Sequence, residues 1–134
     1  QQDVIMQDII VRAEKRMYSM MDDSGYRDVL VNWITQAAIG LDVESAQINA
    51  SQKERLLIDK QMLSEVKEKI KNDSGKTIEL TLSKLNPLEN QGVILTATNG
   101  RIAFDNQVKT RFSRAQRKVR MIIYNTLFSD NQKE

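Results

Sequence analysis

The residue pattern predicts an α+β fold of mixed α/β type. A four-stranded mixed sheet, made of a β-α-β unit plus a β-hairpin, packs with helices and is led by an N-terminal helix of coiled-coil type. Three observations predict it. Apolar residues recur at steps of three and four in four separate segments, the period of one helix face. In Thr77–Leu82 the period drops to two, as in a half-buried strand, and two β-rich runs follow at Val93–Thr98 and Arg101–Asp105. Between the last two β-rich runs stands Asn99-Gly100, a hairpin turn signal. With 134 residues, 40% hydrophobic, one proline and five glycines, the chain has the size and composition to bury a core.

Met6, Ile10, Ala13, Met17 and Met20 lie at alternating steps of four and three in the first segment, Gln2 to Met21. That spacing draws a coiled-coil seam over two heptads, and it equally suits an amphipathic helix lying on its own domain. Asp22-Asp23-Ser24-Gly25 breaks the segment, with Ser24 placed to cap the next helix. Tyr26, Val29, Leu30, Trp33, Ile34, Ala37, Ala38 and Leu41 then form a wide apolar stripe, in which Trp33 reads as a core anchor.

Ser45 to Asn49 reads as a short strand. Ser51 and Glu54 have capping-box spacing and open a helix carrying Leu56, Met62, Leu63, Val66 and Ile70, stopped by Asn72-Asp73-Ser74-Gly75. Ile78, Leu80 and Leu82 alternate with polar neighbours in the next strand, and Asn86-Pro87 closes it with a turn. Val93–Thr98 and Arg101–Asp105 make the hairpin, with a type I′ turn expected at Asn99-Gly100. Asp105 or Asn106 is placed to cap a final helix whose stripe is Val108, Phe112, Ala115, Val119, Ile122, Ile123 and Leu127. A strand–helix–strand unit should be parallel and right-handed, the hairpin antiparallel.

The inventory removes whole classes of chemistry. Without cysteine or histidine there is no thiolate nucleophile, no imidazole base and no usual zinc ligand. Phosphate-cradling glycine patterns are absent, and Asp22-Asp23 has no second acidic cluster at metal-ligand spacing. Neither catalytic residue, cofactor nor metal is expected. Charge is uneven: Lys109, Arg111, Arg114, Arg117, Lys118 and Arg120 stand between Gln107 and Phe128 without one acid, while the whole chain is only +2. That helix could offer a solvated polar face, an acidic protein partner's docking site, or a nucleic-acid contact. Interleaved aromatics are few, so nucleic acid is not expected.

The run Gly92-Val93-Ile94-Leu95, Asn99-Gly100-Arg101-Ile102 and Asp105-Asn106, before a helix with Arg111 and ending Leu127-Phe128, resembles the C-terminal signature of the E subunit of vacuolar and archaeal rotary ATPases. Tyr26-Arg27-Asp28-Val29-Leu30 with Ile34 and Ala37 resembles the helix before that family's first strand. Lys109 departs from the family, which usually carries an acid there. The resemblance implies a non-catalytic stator of a proton- or sodium-transporting ATPase or ATP synthase. Its partners would be a second, helical stalk subunit in a coiled coil and the subunits of the catalytic head. The location implied is cytoplasmic and peripheral on the membrane, without insertion. Residues 1–22 would then be the end of a stalk helix continuing upstream, 26–128 a head-binding domain with its last helix packed on the sheet, and 129–134 a frayed tail. A stator of a flagellar or type III secretion export ATPase is the related alternative, and a small basic nucleic-acid-binding module the unrelated one.

Overall fold

A computed structural model describes residues 2–132. In chain order these are α1 (Gln2–Ser19), a 3-10 turn (Met20–Asp22), α2 (Tyr26–Leu41), β1 (Ser45–Ala50), α3 (Gln52–Arg55), α4 (Lys60–Ser74), β2 (Glu79–Leu82), β3 (Gly92–Ala97), β4 (Ala103–Gln107) and α5 (Val108–Gln132). The sheet order is β2-β1-β3-β4. β1 and β2 are parallel across the α3–α4 crossover, and both other pairs are antiparallel. The expected mixed sheet is therefore present.

Register explains which face is buried. Ile48 lies beside both Leu82 and Leu95, Ala46 beside Ala97, Leu95 beside Phe104 and Val93 beside Asn106, so these side chains share one face. That face packs under α2 and α4. Leu30, Ile34, Ala37, Ile48, Met62, Val66, Ile70, Val93 and Leu95 fill the core with no exposed surface. Gly40 of α2 lets the Phe104 ring approach, since a Cβ there would lie 2.4 Å from ring carbon Cε2. Gln47, Thr81, Thr96 and Asp105 alternate onto the opposite, polar face.

Local details correct several expectations. The residue before α2 is Gly25, and Ser24 caps nothing. Ser51 does form a box with Glu54, but α3 lasts only four residues. The chain then turns so that Ile58 enters the core and Leu56 faces solvent, and Asp59 caps α4 by accepting from Met62 N at 2.8 Å. The three- and four-residue steps after Leu56 fall on Asp59 and Lys60, and that missing apolar turn is the trace of this break. In the hairpin, Gly100 takes a positive φ of 75° and Asn99 does not, so the type I′ geometry is absent. Instead Gly100 N donates to Ala97 O and Asn99 Oδ1 accepts from Arg101 N.

The largest correction concerns α5. The apolar stripe predicts a helix lying on the sheet, yet only Val108 is buried and Phe112 half-buried, while Val119, Ile122, Ile123 and Leu127 are exposed. Four strands about 4.8 Å apart make a face that two helices packed 8–10 Å apart already cover, and α2 and α4 occupy it. α5 leaves β4 without an intervening turn and runs beside α1 instead. It continues as helix through Gln132, and Lys133 and Glu134 of the expected frayed tail lie outside the described residues.

Candidate functional site

Three features of the surface are built by the packing of α1, α2 and α5 around the sheet. The first is a helix pair. Met6, Ile10, Ala13, Met17 and Met20, the seam read from the sequence, are all half-buried rather than free. Met6, Ile9, Ile10 and Ala13 face Phe112, Ala115 and Val119 across a cleft of about 170 Å³, and Met17 lies near Val108, Phe112 and Ala115. Falling numbers on α1 thus meet rising numbers on α5, and the two helices run antiparallel. Methionine suits this interface because its unbranched chain fills an irregular gap. Away from the cleft, Val4 and Ile5 of α1 and Met121, Ile122, Ile123, Tyr124, Leu127 and Phe128 of α5 stay exposed, Val4 by 72% and Leu127 by 61%. The Tyr124 and Phe128 rings, one turn apart, have centroids 4.4 Å from each other. Among the described residues, the apolar face of α5 runs on past the stretch that α1 faces.

The second feature is the joint where α1 meets the body. Glu54 is fully buried, and its carboxylate accepts from Ser51 Oγ at 2.7 Å, Tyr26 Oη at 2.8 Å and Gly92 N at 2.9 Å. Gln91 Nε2 donates both to Tyr26 Oη at 2.8 Å and to the Met17 carbonyl at 2.9 Å, tying the end of α1 to the same cluster. Burial pushes the Tyr26 phenol well above its ordinary value; the bond from Gln91 opposes the shift and the Glu54 charge adds to it. A capping-box glutamate reaches back to its own cap, as Glu54 does through Ser51 Oγ; here it also accepts from Tyr26 and Gly92, a role spacing alone could not reveal.

The third feature divides the basic residues of α5. Arg111 and Arg114 turn toward the body. Arg111 stacks 5.2 Å from the Trp33 ring centre and donates to Gln36 Oε1 at 2.6 Å and Asn106 Oδ1 at 3.1 Å. Arg114 lies 5.1 Å from the Phe104 ring centre and donates to the Asp105 carbonyl at 3.0 Å and also to Asn106 Oδ1. Lys109, Arg117, Lys118 and Arg120 lie on the exposed side. Asn106, read from the sequence as a helix cap, is a fully buried strand residue whose Nδ2 donates to the Trp33 carbonyl at 2.8 Å. Asp105 is also in β4 and accepts from Gln107 N at 3.0 Å.

The described residues hold no group of three or more acidic side chains placed to bind a metal. None of the described helices is long and apolar enough to cross a membrane. The described surface thus combines an exposed apolar helix face, a buried hydrogen-bonded joint and two arginines turned toward the body.

Comparison with known proteins adds a family to this geometry. A family model described as ATP synthase (E/31 kDa) subunit matches residues 1–128. The chain is similar to the E subunit of the A-type ATP synthase of Thermococcus kodakarensis, 26% identical over 129 residues that make up 95% of this chain and 61% of that relative. It is also similar to the protein of that name from Desulfurococcus sp. strain SY, 24% identical over 128 residues, again 95% of this chain and 61% of the relative. The chain thus spans about three-fifths of the length of the curated relatives it matches.

Proposed function

The chain belongs to the ATP synthase E/31 kDa subunit family, and from that premise we propose that it is a non-catalytic peripheral-stalk subunit, a stator. It would link the catalytic head of a proton- or sodium-translocating rotary ATPase to the membrane sector. The observation that carries this reading is the antiparallel pair of helices, α1 and α5, standing on a compact α/β body and tied to it at the Glu54–Tyr26–Gln91 joint. Burying four side chains that are half to two-thirds exposed among the described residues, such as Ile5, Ile122, Ile123 and Leu127, offers roughly 3–7 kcal/mol of transfer free energy before the cost of association. A helical partner, the second stalk subunit, suits a face with helical period. Coiled-coil packing against it extends the lever that α1 begins.

A stator resists torque, so its lever must not hinge where it enters the body. The Glu54–Tyr26–Gln91 cluster and the packing of Phe112 against α1 supply that stiffness here. The α/β body is the part that grips the head.

The test uses the full-length protein mixed with the second stalk subunit and with the catalytic head complex. Stable binding to both is expected, and Ile122→Asp with Leu127→Asp should abolish binding of the stalk partner while leaving the melting temperature of the free chain within about 2 °C, because both side chains are exposed. Failure to bind either partner overturns the proposal.

A further inference from the structure

On the body side of the joint, α2, α4 and the start of α5 enclose an open groove of about 470 Å³. Two cations face it. Asn32 and Gln36, one turn apart on α2, hold them in place: Asn32 Oδ1 accepts from Lys69 Nζ, and Gln36 Oε1 from Arg111. Neutral amides orient a cation but leave its charge uncompensated. Among the described residues neither Lys69 nor Arg111 has a carboxylate partner. Burial, then the charge of neighbouring Arg114, weakens the hold of Arg111 on its proton, which shows that its charge sits in an unfavourable place. An incoming anion would relieve that cost.

We propose that this groove binds an Asp or Glu side chain from an acidic segment of the catalytic head, with the carboxylate between Lys69 and Arg111. The proposal rests on the stator reading above and names the contact by which the body would grip. Three observations select a protein carboxylate. Part of the wall is apolar, with Val29, Trp33 and Ile39, and suits the methylene stem of an acidic residue and an apolar neighbour. Trp33 already lies beneath Arg111 and has no free ring face for a nucleobase. Asp73 also lines the groove, one turn from Lys69, and its charge disfavours a run of phosphates more than a single carboxylate. The groove also lies in the body, away from the exposed tip of α5 that the helical partner would cover. The arginine fork and the lysine point charge together define one acceptor site, stronger than either alone.

The test is carbodiimide cross-linking of the full-length protein assembled with the head and the second stalk subunit, which joins amines to carboxylates in direct contact. Lys69 is expected to link to an Asp or Glu of the head. In parallel, Lys69→Gln with Arg111→Gln should weaken head binding about tenfold at physiological salt, with Arg111→Lys recovering part of the loss. Lys69→Gln alone, at a half-exposed position, keeps the comparison possible if the double variant unfolds. If wild-type protein binds the head but Lys69 links only to the stalk partner or to nothing, and the variants bind the head as tightly, this inference falls and the stator reading stands. If wild-type protein does not bind the head at all, both fall.

Discussion

Replacing Tyr26 with phenylalanine removes one oxygen from the middle of the joint and keeps the ring, which packs edge-on to Trp33 at 6.0 Å. Two hydrogen bonds disappear: the one Tyr26 donates to Glu54 at 2.8 Å, and the one it accepts from Gln91 at 2.8 Å. Glu54 keeps Ser51 and Gly92 as donors, and Gln91 keeps the Met17 carbonyl, so no group is wholly orphaned. A bond to an ionised acceptor contributes about 1.5–3 kcal/mol, which sets the expected loss at about 2 kcal/mol, or roughly 7 °C for a chain of this size. Urea unfolding followed by Trp33 fluorescence measures it near neutral pH. Alkaline titration gives a second reading with a definite sign. The phenol is held protonated in the fold, so above the ordinary value of 10.0 the unfolded chain loses a proton that the folded chain keeps. Wild-type stability from this group is complete below pH 10 and falls above it by about 1.4 kcal/mol per pH unit. Phenylalanine has no such slope, so the two stability curves should converge near pH 11 to 11.5. A loss under about 0.5 kcal/mol at neutral pH, or parallel curves up to pH 11, refutes the joint as described.

Other substitutions separate the remaining parts of the fold. Gly92→Ala should cost more than about 3 kcal/mol or prevent folding, because Gly92 has φ 113° and an added Cβ would lie 2.4 Å from the Gln107 backbone; circular dichroism on the purified chain decides it. Asn106→Ala leaves Arg111 and Arg114 without their shared acceptor and should cost about 2–3 kcal/mol in urea unfolding, far more than Asn99→Ala on the exposed turn. Phe112→Ala, which for a buried ring would cost about 3–5 kcal/mol, should cost only about 1–2 because the ring is half-exposed between α1 and α5; loss of helical content by circular dichroism should be confined to those two helices.

Where the deciding interaction is local, the sequence by itself showed most elements, although the Ser24 cap and the type I′ turn did not form. The order of elements, the hairpin at Asn99-Gly100, the Ser51–Glu54 box and the burial of Trp33 follow from periodicity and turn chemistry within a few residues, and the parallel β1–β2 pair from the crossover rule. The family signature is equally a linear pattern, and residues 1–128 match it. Tertiary structure decided what each apolar stripe faces and where each polar side chain points. The α5 stripe was legible as a stripe, but its 3.6-residue period is the same against a sheet, against α1 or against another chain. The six basic residues looked alike in sequence until the approach of Gln36 and Asn106 turned two of them inward. Glu54 was legible as a cap, yet its donors Tyr26 and Gly92 lie 28 and 38 residues away. Spacing records what a residue can do within one or two turns of its own chain; which distant groups arrive beside it depends on how whole elements share a limited core surface, and no short stretch of sequence contains that.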